Sequence, residues 1–383
     1  MGTRAARINT HPYWPDVGCS LSIFPSREFR AIATIPADIP VARPPRPPGF
    51  SIGEFQIHAG RVTLRKTGNS AVIDRRLLVE LLVWWRFQLV IRAIGLWARL
   101  TRPRAPAIWF APERPHSRYM VQAAAILGGM RTVEQPGDAD VAFAFDDATV
   151  AAPASRRGLP GLNFGCTDIG KSRVAAVFEA AFGYPLAVDP RAWVGPVVEK
   201  SEANGTHDGR VVECPMSPRA GRVYQRMVDT VRDDGFAYDL RTHVIDHLPV
   251  IVWEKRRVAE RRFLPPNVAA RMLEPELVFS GEELAAIGRF TRAMGADWCG
   301  LDILRDRDGR IYVVDLNKTD AGPIIALSLR AQVMGTLRMA RALRAMVTER
   351  ALRCNVPPLA SSAQAEHVET RFQARPGAWT SSA

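Results

Sequence analysis

The sequence predicts a mixed α/β and α+β protein, with a small parallel-sheet domain ahead of antiparallel strand pairs. Three observations carry this. Ala107-Ile108-Trp109-Phe110 and Val141-Ala142-Phe143-Ala144-Phe145 read as buried strands, and a helical stretch over 117–128 separates them, the order of a parallel sheet. Two apolar runs flank Asp308-Gly309, a two-residue hairpin signal. A further strand pair, 195–200 and 209–214, flanks a polar loop containing Asn204-Gly205.

The 383 residues allow two or three globular units, and 47% hydrophobic content is enough to fill their cores. Cys19, Cys166, Cys214, Cys299 and Cys354 lie far apart with no CxxC pair. That excludes a disulfide framework and a cysteine zinc site, and it fits a reducing cytoplasm. Residues 1–30 lack a continuous apolar h-region, so no signal peptide is read. Residues 1–106 hold 16 Lys/Arg against 6 Asp/Glu, which is +10 of the total +12. No aromatic-basic interleaving accompanies this charge, so nucleic acid is not an expected partner.

Along the chain, residues 1–75 read as an irregular or disordered basic arm. The run Arg43-Pro44-Pro45-Arg46-Pro47-Pro48 cannot continue a helix or a central strand. Residues 76–104 form an apolar helix, whose charges Glu80, Arg86, Arg92 and Arg99 fall on different sides. They make a spanning helix unsuitable. Packing on the core, packing on another subunit of a homo-oligomer, and attachment to a membrane surface through 76–100 remain open. The parallel-sheet domain covers 105–165. From 166 to 350 the expected order is a helix over 171–182, strand, turn, strand, helix, two strands, an amphipathic helix over 281–293 and a closing strand pair. The tail, 351–383, is rich in Ser, Ala and Pro and reads as flexible.

The closing pair carries the strongest chemical signal. With Asp308-Gly309 as the turn, Asp302 lies directly across from Asp315, and Asn317 shares the face of Asp315. Facing carboxylates repel in a sheet, and a divalent cation removes that cost. Magnesium takes oxygen ligands, commonly one or two carboxylates plus substrate phosphates. The loop after 195–200 can fold over phosphates with its backbone N–H groups, and Lys200 would meet a phosphate as a point charge. The segment Gln225-Arg226-Met227-Val228 can pair with an adenine edge, with Asp229 reaching a ribose.

The order of these pieces resembles the ATP-grasp superfamily over about residues 105–350. The resemblance implies two α+β subdomains clamping ATP, preceded by a pre-ATP-grasp parallel-sheet domain over 105–165. It implies ATP and Mg2+ as cofactors, with Mn2+ as an alternative ion. Lys171 and Lys200 match the phosphate lysines. Gln225, Arg226, Met227 and Val228 match the hinge. Asp302, Asp315 and Asn317 match the metal ligands. Asp239-Leu240-Arg241, with Lys255-Arg256-Arg257 and Arg261-Arg262, resembles ligases that join amino acids to carboxylates. Arg241 and Arg257 would then stabilise charge during phosphoryl transfer. Small-molecule carboxylate and amine substrates are the implied partners, joined through an acyl phosphate. Two departures stand out. Asp315 replaces the commoner Glu, which brings the metal closer to the backbone. Lys318-Thr319-Asp320 replaces a small-Pro-Gly turn, which reshapes the acceptor pocket.

A competing pattern is Gly165-Cys166-Thr167-Asp168-Ile169-Gly170-Lys171-Ser172, which fits the P-loop with Ser172 on magnesium. Its context is poor, because no clear strand precedes it and an antiparallel pair follows. The two readings part at Ser172 and Asp315. An ATP-grasp kinase and a non-catalytic ATP-binding protein also fit these residues. His207 reads as a solvated loop residue, and Cys166 and Cys214 as filler.

Overall fold

A computed structural model describes residues 50–52, 55–64, 70–101, 105–206, 208–262 and 267–355. The arm over 1–49, His207 and the tail beyond 355 lie outside these, as do the expectations placed on them. The described residues fall within one compact unit.

The parallel sheet forms where expected. It comprises β5 (Ala107–Pro112), β6 (Arg131–Val133), β7 (Val141–Phe145) and β8 (Gly161–Leu162), in the order β6-β5-β7-β8. β5 and β7 are apolar on both faces because both faces are covered. The intervening helix α2 (Met120–Leu127) is buried at six of its eight positions. It lies between α1 (Arg75–Thr101) and α6 (Leu329–Asn355). Gly95 lets α1 approach closely, since a Cβ there would strike the Ile126 backbone.

The antiparallel strands after α3 (Lys171–Phe182) form two sheets. The smaller is β10-β9-β11, from β9 (Gly195–Ser201), β10 (Arg210–Cys214) and β11 (Arg222–Arg226). The larger runs β14-β13-β12-β15-β16. Its strands are β12 (Phe236–Ile245), β13 (Leu248–Val258), β14 (Ala269–Leu273), β15 (Trp298–Arg305) and β16 (Ile311–Asn317). Helix α3 (Lys171–Phe182) packs on β16 and on α5 (Gly281–Ala293). The start of α5 is set by a capping box, Ser280 with Glu283, just after the single-turn α4 (Pro275–Val278). The five-stranded sheet keeps one face apolar, where Leu240, Val252, Leu301, Ile303 and Leu316 join α3 and α5 in a buried cluster.

Four sequence expectations need correction. The arm read as irregular through residue 75 folds over part of its length. β1 (Phe50–Ile52), β2 (Phe55–His58), β3 (Arg61–Leu64) and β4 (Ser70–Val72) make an antiparallel sheet in chain order. Its strands are only three or four residues long, too short to show a clear alternation. The helix expected between 214 and 236 is absent, because Val223, Tyr224 and Gln225 pair with β9. α6 is missing from the expected order altogether; its amphipathic pattern is diluted over 27 residues of mixed character. Finally, the closing hairpin does not turn on two residues. Arg305 pairs with Ile311, and the loop over 306–310 closes by Asp306 N–H to Arg310 C=O, 2.9 Å, with Gly309 at φ +86°. A register shift between Asp302 and Ile303 then brings Asp302 opposite Asp315. The expected pairing is therefore reached through a bulge and not through the turn.

Candidate functional site

The polar face of the five-stranded sheet follows from strand alternation. Residues two apart share a face, so Asp239, Arg241 and His243 of β12 stand in one row. Trp253, Lys255 and Arg257 of β13 stand beside them, and Asp302 of β15 and Asp315 of β16 complete the rows. Register pairs Asp239 with Lys255, Arg241 with Asp302, and Asp302 with Asp315. Opposite charges thus sit opposite each other in the first two pairs, and like charges in the third.

The result is one chain of alternating charge. Arg257 donates to Asp239, whose other oxygen lies 3.0 Å from Lys255 Nζ. Lys255 Nζ also reaches Asp302 Oδ1 at 3.2 Å. Arg241 donates to Asp302 Oδ2 at 2.6 Å and, through its other nitrogen, to Asp320. Asp320 Oδ2 lies 3.0 Å from His243 Nδ1. Burial works against both carboxylates, yet Arg241 and Lys255 hold Asp302 far below the usual range, and Arg241 and His243 hold Asp320 at about 2. Arg241 is clamped between two carboxylates, and its guanidinium is correspondingly harder to deprotonate despite burial.

Asp315 differs from its neighbours. It forms no ion pair among the described residues, and its Oδ1 accepts only the Leu316 N–H, 3.1 Å. Burial, reinforced by the facing charge of Asp302, holds its carboxyl above the usual range in spite of Lys171 and Lys200. Asn317 donates to Asp302 Oδ2 at 3.4 Å. All three expected metal ligands therefore lie together at the end of the β15–β16 pair. Their oxygen donors suit a hard divalent cation, which would supply the charge that Asp315 lacks.

The three-stranded sheet presents its own two faces. Glu199, fully buried, anchors the outer one. It binds Arg210 at 2.6 Å, Arg219 at 3.3 Å and Arg222 at 3.2 Å, and accepts from Tyr224 Oη at 3.1 Å. The inner face carries Val198, Lys200 and Gln225 toward the acidic pair. Lys200 Nζ donates to Gln225 Oε1 at 2.8 Å. Burial, opposed by the attraction of Asp315, lowers the Lys200 ammonium to about 8. Among the described residues, Gln225 Nε2 and Arg226 Nε are buried with no hydrogen-bond partner, two free donors on the segment 225–228. Val228 is buried in the apolar cluster below the sheet, next to Met227, which is half-buried.

The loop between β9 and β10 closes on the same region. Asn204 Nδ2 donates to Leu316 C=O at 3.3 Å and lies 3.5 Å from Asn317 Oδ1, while its N–H donates to Thr149 Oγ1 at 2.9 Å. Lys171 opens α3, is buried, and donates through Nζ to Ala203 C=O at 2.6 Å. Lys171, Lys200, Gln225, Asp302, Asp315, Asn317 and Arg241 thus converge. Arg257 joins only at the far end of the charge chain. Asp229 does not join: it is exposed, pairs with Arg307 at 2.7 Å, and borders a separate cavity of about 400 Å³ beside Arg232 and Glu254.

The P-loop pattern has a different use. Glu202 caps the start of α3, accepting from Ser172 N–H at 3.0 Å and Ser172 Oγ at 2.7 Å. A carboxylate occupies the place where a P-loop would cradle phosphate, and the strand before it is the two-residue β8. Cys166 and Cys214 are buried thiols, and burial pushes both up, Cys166 to about 12. A second histidine–carboxylate group comprises Asp246, His247 and Asp297, and Arg350 bridges its two carboxylates at 3.4 and 3.0 Å.

The sequence marks Lys255 only within a basic run, Asp320 only as a departure, and His243 not at all. Their alternation with Arg241 and Arg257 is visible in it. Their use depends on register between strands far apart in the chain.

No family model matches the chain, and no curated protein matches it. Among solved structures, the ATP-grasp ligase PsnB complexed with minimal precursor is similar over 49% of this chain and 64% of its own, at 22% identity and a TM-score of 0.37. D-alanine–D-alanine ligase from Bacillus anthracis, complexed with ATP, aligns at 14% identity over 65% and 98% of the two chains, with a TM-score of 0.39. VanG D-Ala:D-Ser ligase from Enterococcus faecalis aligns at 10% identity over 64% and 100%, with a TM-score of 0.43. The aligned stretch spans less than two thirds of the PsnB chain.

Proposed function

We propose that this chain is an ATP- and magnesium-dependent ligase of the ATP-grasp superfamily that activates a carboxylate as an acyl phosphate for attack by an amine. The observation that carries this is Asp315. It is a half-buried carboxylate, set in register against a second carboxylate, and without an ion pair among the described residues although two lysines lie near it. Such an arrangement is costly unless a cation and a polyanion complete it.

Asp302, Asp315 and Asn317 would hold magnesium, which when bound neutralises phosphate charge and orients the γ-phosphoryl group. Lys171 and Lys200 would hold phosphates from the side of α3 and β9. The unpartnered donors of Gln225 and Arg226 suit the acceptor atoms of an adenine edge, with Met227 and Val228 supplying apolar surface. The carboxylate substrate attacks the γ-phosphorus and ADP leaves. Arg241, fixed from both sides, would stabilise the equatorial oxygens as charge spreads over them. The amine then displaces phosphate. The acceptor side lies where the chain leaves β16 and meets the parallel-sheet unit, at Met120 N–H to Asp320 C=O, 2.8 Å, and Gly322 N–H to Arg118 C=O, 2.9 Å.

The deciding experiment is the thermal shift with magnesium-ATP in wild type and in Asp315→Ala, Lys200→Ala and Ser172→Ala. At 100 times the dissociation constant, ligand adds roughly 2.7 kcal/mol. The expected shift is present in wild type and Ser172→Ala and lost in the other two. A shift lost only in Ser172→Ala restores the P-loop reading. A hydroxylamine trap tests the reaction: a hydroxamate supports the acyl phosphate, and a stable phosphoester indicates a kinase.

A further inference from the structure

We infer that α1 and the cleft beneath its C-terminal half form a docking site for an anionic phospholipid surface. Two independent features meet there. The first is an apolar stripe. Leu78, Leu82, Trp85, Leu89, Leu96 and Leu100 lie within about 60° of arc at 100° per residue, opposite the packed face of Phe87, Ile91, Gly95 and Ala98. All six are exposed, Leu82 by 64% and Leu100 by 70%, and Trp97 at the edge by 69%. Patches of this kind mark interaction sites. Gly95 seats α1 against α2, so the stripe is held outward by the fold.

The second feature is a cleft of about 530 Å³ between α1, α2 and β6, walled by Arg92, Arg99, Arg114 and Arg131 together with Leu96 and Ile126. Arg92 and Arg131 have no ion pair or side-chain hydrogen bond among the described residues. Among the same residues, Arg99 reaches only the Met130 carbonyl at 3.2 Å, and Arg114 only the exposed Glu134 at 3.4 Å. Four guanidinium groups around one cleft call for an anion, and their planar forks suit phosphate. Leu96 belongs to both features, so the cleft opens on the stripe.

Charge selects the occupant. α1 carries Arg75, Arg76, Arg86, Arg92 and Arg99 against the single acid Glu80. Two copies pairing through this stripe would set like charges together, whereas a surface of phosphodiester headgroups meets both the arginines and the apolar side chains. No described helix is long and apolar enough to cross a membrane, so the contact is with the surface.

Flotation of the full chain with vesicles tests this. Binding is expected to phosphatidylcholine vesicles containing phosphatidylglycerol, to be weak to phosphatidylcholine alone, and to fall as salt rises. The double variant Arg92→Ala/Arg131→Ala and the single variant Leu82→Glu should each lower the partition coefficient at least tenfold, with the unfolding midpoint unchanged. Full binding retained in both variants overturns the site, as does equal binding to neutral and anionic vesicles. So does a concentration-dependent dimer by light scattering that Leu82→Glu dissolves, which would assign the stripe to a second copy. Inorganic phosphate that protects the protein thermally through Arg92 and Arg131, without vesicle binding, would reduce the cleft to a soluble-anion site and overturn the membrane assignment.

Discussion

Lys200 sits where the proposed function and stability oppose each other. Burial leads in lowering its ammonium from 10.5 to about 8, so the folded state binds fewer protons than the unfolded one between those values. Unfolding free energy therefore rises with pH across that window, and below pH 8 the charged lysine is a full cost. Lys200→Met should stabilise the ligand-free protein at pH 7 by on the order of 1–3 kcal/mol, measured by denaturant unfolding. The same change should abolish the magnesium-ATP shift. In wild type, nucleotide affinity should weaken above pH 8 as the lysine loses its charge. Asp320 has the opposite sign. Burial raises it, but Arg241 and His243 outweigh that and bring it from 3.8 to about 2. Its stabilisation is complete above pH 4 and is lost as pH falls through 2. Asp320→Asn leaves Arg241 held from one side and His243 without its partner. Breaking such a buried pair typically costs about 3–5 kcal/mol. Turnover should fall while magnesium-ATP affinity changes little, since Arg241 is proposed to act on the transferring group and not on bound nucleotide. Equal loss of both would place Asp320 in the nucleotide site.

At the scale of elements, the polar sheet face is bounded on one side by α6, which packs on Trp253. Gly335 of α6 faces Trp253, and a Cβ there would overlap the indole ring. Trp253 alternates with Lys255 and Arg257 on β13 and pairs with Arg241 across β12. Gly335→Ala should force the ring or the helix to move, at a cost of about 1–3 kcal/mol, and should lower the thermal midpoint without altering the charge chain's composition. A midpoint within error of wild type would show that α6 has slack there. In the β15–β16 hairpin, the Asp302–Asp315 pairing is the one a two-residue turn would give, because the bulge near Val314 restores the offset that the longer 306–310 loop introduces. Patterning shows which residues share a face; the loop conformation is decided by Asp306, which donates to Arg310 C=O and accepts from the Gly309 and Arg310 N–H groups.

Across the compact unit, the three-stranded and five-stranded antiparallel sheets are held to different depths. The three-stranded sheet has a small apolar cluster, Val197, Cys214 and Tyr224, and leans on the ion pairs of Glu199. The five-stranded sheet shares a large core with α3 and α5. Hydrogen exchange should therefore open β9, β10 and β11 at lower free energy than β12 and β15. Magnesium-ATP should slow exchange over 202–206 and β9 most, because its proposed ligands come from both sheets. Uniform protection across the chain would instead report only global stabilisation.

By itself the sequence determined the class of fold, the parallel unit ahead of antiparallel pairs, and the identity of nearly every converging side chain. Those properties are local: apolar period, Gly and Pro placement, and oxygen or cationic side chains at strand positions. Lys171, Lys200, Gln225, Asp302, Asp315 and Asn317 were legible for that reason. Tertiary structure alone decided that Asp229 turns away to Arg307, that Glu202 takes the Ser172 end of α3, and that Asp320 and His243 clamp Arg241. It also decided that the arginines of α1 and β6 share a cleft. Each of these joins residues far apart in the chain or set by register between strands, and no periodicity within one segment encodes which distant charge will stand opposite it.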